Sequence, residues 1–327
     1  PMTSIQSNRT NRPAKLGLMI PHTEKKATGM RRWAEIREVA EIAEAIGFDS
    51  LWVVDHLLVN LQDNDPPKGV WECWSLLSAL AASTKTVELG TLVLGMGYRN
   101  PALLAKMADT VDEISGGRLI LGVGAGYHKF EYDAFGYPFD YKYSRFAEGI
   151  EILHGLLKYG HIDFQGKFYS ARECELKPRG PRTEGPPILI GSKGHKMLRL
   201  VGQYADMWNG FWDDLGNSPQ GLIAARPLVD EACEEVGRDP ATLARTVGVL
   251  IAEDDADPWW DIAPIDNIPA TIGAPVLKPL NGTPADIASV LRTYVDEGAS
   301  TIQIHLDGVT PKTVERLVPV LEAFDAN

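Results

Sequence analysis

Eight short apolar runs punctuate the chain, and between them lie longer segments whose apolar residues return every three or four positions. The runs are Lys15–Pro21, Ser50–His56, Glu88–Leu94, Arg118–Gly124, Pro187–Gly191, Ala205–Asn209, Thr246–Glu253 and Ser300–Leu306. Several are apolar at consecutive positions, as in LWVV, LILGV and ILI, which is how strands covered on both faces read. Alternation of this kind predicts parallel βαβ units. Eight units predict an α/β fold closed as a (β/α)8 TIM barrel in place of an open sheet.

The connecting segments carry ordinary helix signals. Met30–Ile46 sets Trp33, Ile36, Val39, Ala40 and Ala43 near one face and stops at Gly47. Pro101–Ser115 starts on a proline and ends at Gly116-Gly117, and Thr283-Pro284 reads as an N-cap followed by proline at the first helical position. Two gaps between strand starts, 118 to 187 and 246 to 300, are too long for a helix and a turn, so insertions follow strands four and seven. The first comprises the aromatic stretch 127–142, a helix at 143–159 and a hairpin turning at Gln165-Gly166. The second, residues 254–282, is rich in proline and aspartate, holds Trp259-Trp260, and has Lys278 as its one basic residue. A loop of that length suggests a packed lid. No composition shift marks a boundary, so residues 15–327 read as one domain after a disordered or extended segment, 1–14.

A net charge of −12 opposes phosphate backbones and anionic lipid surfaces, and no Lys/Arg run offsets it locally. Nucleic acid and membrane are therefore not expected partners. Cys73, Cys174 and Cys233 are widely spaced, odd in number and free of CxxC pairs, which argues for a reducing compartment. The polar start, with no signal-peptide core, adds to an expectation of a cytoplasmic protein.

In a (β/α)8 barrel the chemistry lies at the C-terminal ends of the strands. One such end is GVGAG, residues 122–126. It fails as a dinucleotide fingerprint because Tyr127 and Lys129 stand where a third glycine is needed. Gly191-Ser192-Lys193-Gly194, ahead of a helix beginning near His195, combines a hydroxyl, an amine and helix N–H groups into an anion site. Asp55-His56 closes the second run, and histidine suits proton transfer near neutral pH. His128 and Glu131 stand three apart, but HExxH and an HxH on the first strand are both missing, so no metal is expected. A serine hydrolase and a Walker ATPase are unsupported, since neither GxSxG nor GxxxxGK[ST] occurs.

Four stretches, GFDSLWVVDH, LLSALAASTKTVELGTLVL, RNPALLAKMADTVDEISGGRLILGVGAGYHKFEYDAFG and PPILIGSKGHKMLRLVGQYADMWNG, together resemble the bacterial luciferase-like family of flavin and deazaflavin oxidoreductases. That resemblance implies a barrel with insertions, a homodimer, and a cofactor ring lying in the mouth. It also implies a non-prolyl cis peptide at the end of the third strand, at Leu92-Val93 give or take one residue. Coenzyme F420 is favoured as cofactor, with FMN and molecular oxygen as the alternative. Asp55-His56 matches the Asp-His of the deazaflavin-dependent sugar-phosphate dehydrogenases, where the histidine is the base. Those enzymes carry a glutamate after the glycine loop and a tryptophan four residues past the histidine, where this chain has Tyr127 and Asn60. Glucose 6-phosphate oxidation by that mechanism is therefore not expected.

The expectation is a flavin-type oxidoreductase or monooxygenase with His56 catalytic and a small, apolar or ring-containing substrate. Asp55, Leu92, Val93, Gly95, Gly124, Ala125, Gly126 and Tyr127 are expected around the ring, and Gly191, Ser192, Lys193, Gly194, His195 and Trp208 around its phosphate. His22, Trp71, Phe130, Trp259 and Trp260 are expected to line the substrate pocket. Two other readings compete: a barrel that binds flavin without turnover, and a metal hydrolase with His and acid ligands at four strand ends.

Overall fold

The structure is a computed structural model, and it describes residues 12–25, 29–60, 66–252, 279–306 and 308–326. Each apolar run contains a strand: β1 (Lys15–Met19), β2 (Ser50–Val53), β3 (Glu88–Thr91), β4 (Leu119–Gly124), β5 (Ile188–Gly191), β6 (Met207–Gly210), β7 (Ala244–Ile251) and β8 (Ala299–Leu306). Consecutive strands pair in parallel, β8 pairs with β1, and the contact of β4 with β5 closes the ring. The barrel expectation holds.

Successive side chains on a strand point to opposite faces, which divides each strand between two layers. Leu16, Leu18, Leu51, Val53, Leu121, Val123, Ile302 and Ile304 pack outwards into the main core beneath the helices. Met19, Trp52, Leu92, Ile120 and Leu189 form a second cluster, inside the ring. Trp52 is fully buried there. A Cβ on Gly17 or Gly90 would lie 2.4 or 2.2 Å from the indole, so the strands on either side of β2 are glycine where the tryptophan needs room. Truncating such a side chain costs about 3–5 kcal/mol.

The helices are α1 (Trp33–Ile46), α2 (Cys73–Ser83), α3 (Pro101–Ser115), α4 (Lys129–Phe135), α5 (Lys142–Tyr159), α6 (His195–Tyr204), α7 (Pro219–Glu235), α8 (Pro284–Asp296), α9 (Pro311–Glu315) and α10 (Val318–Asp325). Ile36, Val39, Ala40 and Ala43 of α1 are buried, whereas Trp33, in its first turn, is left exposed. Asn100 caps α3 through the N–H groups of Ala102 and Leu103, and Thr283 forms a capping box with Asp286 at α8. Such caps contribute about 1 kcal/mol each.

The first insertion is α4, α5 and the hairpin His161–Gln165 with Ser170–Glu175. Tyr132 anchors it, buried with its ring 4.8 Å from Tyr98 and 5.1 Å from Phe139. Of the second insertion, Trp259, Trp260 and Lys278 lie outside the described residues, as do Glu253 and Asp307. The chain leaves β7 at Ala252 and is described again beside it. Leu280 N–H donates to Leu250 O at 2.8 Å, and Ala252 N–H donates to Leu280 O at 3.0 Å. Arg12, from the segment expected to be loose, donates to Asp49 and Asp325 with its own side chain 3% exposed. Among the described residues no helix is long and apolar enough to cross a membrane.

Candidate active site

The Leu92-Val93 peptide is cis. Leu92 stays in the cluster inside the ring, and the Val93 side chain drops between β4 and β5. A Cβ at Gly124 would meet Val93 Cγ2 at 2.7 Å, and one at Gly191 would meet Cγ1 at 3.3 Å. The glycines of GVGAG and GSKG thus face the same valine from two sides. They leave room at the ends of β4 and β5 for this one small apolar side chain.

Asp55 is buried beside this turn. Its Oδ2 accepts from Gly95 N–H at 2.9 Å and from Arg99 Nη1 at 2.7 Å, and Arg99 Nη2 donates to Oδ1 at 3.0 Å. Arg99 also reaches Glu72, at 2.7 Å. The carboxylate clamps the segment following Val93, and each of its oxygens accepts from Arg99.

His56 points elsewhere. Its Nδ1 lies 2.5 Å from Oε1 of Glu131, the N-terminal turn of α4 bringing that carboxylate back over the end of β2. Glu131 is fully buried and accepts four contacts: His56, His128 Nδ1 at 2.7 Å, Leu57 N–H at 2.9 Å and Tyr98 O–H at 3.0 Å. Burial alone would raise its pKa, but the hydrogen bonds from His128 and His56 outweigh that and hold it down at about 2. A carboxylate can only accept, so His56 donates to it from a protonated Nδ1, and Nε2 is the ring nitrogen left over. The Tyr127 hydroxyl is 3.5 Å from that Nε2, the outer limit of a hydrogen bond, and the two rings meet edge to face. Glu131, Tyr98 and Arg99 were not anticipated as partners of the Asp-His pair. The single visible signal was the i,i+3 spacing of His128 and Glu131.

At the other candidate locus α6 starts at His195, with Gly194 as N-cap and no side-chain cap. Ser192 Oγ is buried without a hydrogen-bond partner. A free hydroxyl beside uncapped helix N–H groups fits an anionic tail. Lys193, however, is drawn into an ion pair with Asp214, which competes with any bound anion.

The remaining candidates divide between the mouth and the frame. Trp71, Tyr127 and Phe130 are exposed large apolar side chains, and Phe130 lies 6.0 Å from the His128 ring. Ala125 packs against the core, and Gly126 precedes Tyr127 with a left-handed φ of 75°. His22 is buried between the carbonyls of Ile20 (3.0 Å) and Val54 (2.9 Å), so it braces the ends of β1 and β2 and does not line a pocket. Trp208 is buried in the outer layer and touches the loop only through its indole N–H, which donates to Ser192 O at 2.8 Å. His195 turns out to Glu235 at 3.1 Å. On β8, His305 lies edge-on to Phe211 at 4.9 Å, and burial pushes its pKa to about 3, leaving it neutral.

His56, His128 and Glu131 are the one trio among the described residues whose ligand atoms, within 4.8 Å of one another, could hold a metal. Their N···O separations of 2.5 and 2.7 Å are those of hydrogen bonds from nitrogen to a carboxylate.

The sequence profile of the luciferase-like monooxygenases matches residues 14–272. The chain belongs to the luciferase-like monooxygenase family. Its relatives in that family include the 5,10-methylenetetrahydromethanopterin reductase of Archaeoglobus fulgidus, 31% identical over 54% of this chain and 48% of that protein. The F420-dependent glucose-6-phosphate dehydrogenase of Amycolatopsis mediterranei is 30% identical over 67% of this chain and 65% of its own length. A pyrimidine monooxygenase of Pseudomonas savastanoi pv. phaseolicola is 29% identical over 68% and 61%. The match thus spans about half to two thirds of these relatives. Among solved structures, an F420-dependent secondary alcohol dehydrogenase in complex with an F420-acetone adduct superposes at TM-score 0.75 with 18% identity, over 95% of this chain and 99% of that one. An EDTA monooxygenase from Chelativorans sp. BNC1 superposes at TM-score 0.75 with 15% identity, over 96% and 94%. At these identities the superpositions establish the (β/α)8 barrel as the shared fold.

Proposed function

We propose that this protein is an F420-dependent oxidoreductase acting on a small, uncharged, apolar or ring-containing alcohol or carbonyl compound. The observation that carries the reading is the contact of His56 Nδ1 with Glu131, which leaves Nε2, 3.5 Å from the Tyr127 hydroxyl, as the ring nitrogen for a substrate. In the oxidising direction the substrate hydroxyl gives its proton to Nε2, and in the reducing direction the protonated ring returns it to the carbonyl oxygen. Glu131 stabilises the imidazolium formed in between. General acid–base help of this kind contributes about 10²–10⁴-fold in rate. The cofactor, when bound, supplies the hydride chemistry at its ring.

Val93 and the glycines at 124 and 191 offer a surface for a flat ring, and Ser192 with the start of α6 offers donors to its anionic tail. The exposed Tyr127, Phe130 and Trp71 favour an apolar substrate body. Tyr127 also replaces the acid that follows the glycine loop in the sugar-phosphate dehydrogenases.

The reading with FMN and oxygen draws support from the pyrimidine monooxygenase relative. Fluorescence titration of the purified apoprotein with F420 and with FMN separates the two. Saturable F420 binding with weak FMN binding is expected. Tight FMN binding without F420 binding overturns the cofactor assignment, and binding of neither overturns the proposal.

A further inference from the structure

Both ring nitrogens of His128 face oxygens that can only accept. Nδ1 lies 2.7 Å from the Glu131 carboxylate and Nε2 lies 2.8 Å from the carbonyl of Asn60. A neutral imidazole has one N–H and one lone pair, so it satisfies one of these contacts and sets a lone pair against the other. Only the doubly protonated ring satisfies both. We infer that His128 is a fixed cation whose charge is spent on Glu131, and that this pairing keeps His56 uncharged and able to take a proton at Nε2.

The charge count explains why the site needs a second histidine. Glu131 is a buried anion, and a buried anion draws a proton onto whichever base is nearest. With His56 as its only partner, the pair would settle as imidazolium and carboxylate, and His56 would have no lone pair left. With His128 already charged against the same Oε1, the cluster is balanced, and His56 needs to supply only a neutral N–H. The hydrogen bond to Glu131 is the largest influence raising the His128 pKa, ahead of the burial that lowers it. Tyr98, which donates its hydroxyl to Glu131, and Tyr127, whose ring stands 6.2 Å from His128, add no charge at neutral pH.

His22 is an internal contrast. It too lies between two oxygens, but both are carbonyls, and complete burial pushes its pKa down. Burial dominates at His22, whereas the hydrogen bond to a carboxylate dominates at the less buried His128. The same assignment tells against a metal in the trio, because neither His128 nitrogen has a lone pair to offer.

The assignment of charge stands on the free protein. Its catalytic meaning rests on the oxidoreductase reading above. The test is a long-range proton–nitrogen spectrum of the full chain with nitrogen-15-labelled histidine, recorded across neutral and mildly alkaline pH without cofactor. Comparison with His128→Gln identifies the His128 signals. The expected result is a doubly protonated His128 at pH 7 together with a neutral, Nδ1-protonated His56. In His128→Gln the His56 ring signals at pH 7 should change, because Glu131 then has a single histidine partner. His128→Lys, which keeps the cation, should restore them.

A neutral His128 at pH 7 in the unmodified protein overturns the inference, whatever the variants do. So does an unmoved His56 in a folded His128→Gln protein, or stoichiometric zinc uptake that shifts all three residues. The spectra require neither cofactor nor turnover, so failure of the F420 reading would show separately, in the fluorescence titration.

Discussion

His56 and Glu131 are 75 positions apart in the chain and 2.5 Å apart at Nδ1 and Oε1. The end of β2 supplies one and the first turn of α4 the other, so the pair exists only once the barrel has carried β4 round to β2. Glu131→Gln keeps the size and removes the charge. It should lower turnover by about 10²-fold or more. It should also lower stability by about 1–3 kcal/mol, since a hydrogen-bonded charge is replaced by an amide that must donate as well as accept. Steady-state kinetics and thermal unfolding check the two effects.

The acid limb of stability follows from the same carboxylate. Its pKa falls from the ordinary carboxylate value to about 2 on folding. A depressed pKa contributes stability that is fully present above the unfolded value and is lost as pH falls through the folded one. The contribution, about 3 kcal/mol at most, should therefore fade between about pH 4.5 and 2. Denaturant melts at stepped pH should show this slope in the parent and not in Glu131→Gln.

Gly124→Ala should cost about 1–3 kcal/mol, because the new methyl meets Val93 Cγ2 at 2.7 Å in a packed site. Gly191→Ala, at 3.3 Å, should cost less. The double variant Gly124→Ala with Val93→Ala should recover part of the loss if the clash is the cause. Midpoints of urea unfolding for the four proteins decide it.

Asp214→Asn releases Lys193 from its ion pair. Affinity for the phosphate-bearing cofactor should rise several-fold at low salt, and the gain should shrink as salt is added. Lys193→Ala should lower affinity. Stability should change by less than about 1 kcal/mol in either variant, as for other partly exposed pairs.

Arg99→Ala leaves the buried Asp55 carboxylate without its two guanidinium bonds. Breaking a buried pair in this way costs about 3–5 kcal/mol. The melting temperature should drop more than for any surface charge removed from the chain.

The strands were legible because a parallel barrel strand is covered on both faces and so reads as a continuous apolar run. LILGV and ILI are strands β4 and β5 for that reason. Function was legible in type, since Asp55 and His56 end the second run where barrel chemistry lies. What each does was not. Which carboxylate serves His56 depends on how α4 folds back over the barrel, and no local pattern encodes a contact across 75 residues. Asp55, His195 and Trp208 were read as cofactor contacts from their places in the chain, and that reading did not foresee the partners of their side chains, Arg99, Glu235 and the Ser192 carbonyl. The glycines in two loops looked like ligand clearance, and the side chain nearest to both belongs to Val93.

Leu280 pairs directly with the end of β7, so the chain departs and returns through neighbouring backbone positions. The two ends of that excursion are thus stitched together by a pair of backbone hydrogen bonds, Leu280 N–H to Leu250 O and Ala252 N–H to Leu280 O. An insertion whose ends are held side by side asks nothing of the strands beyond the position of that one doorway, as a handle is fixed to a vessel at its two roots.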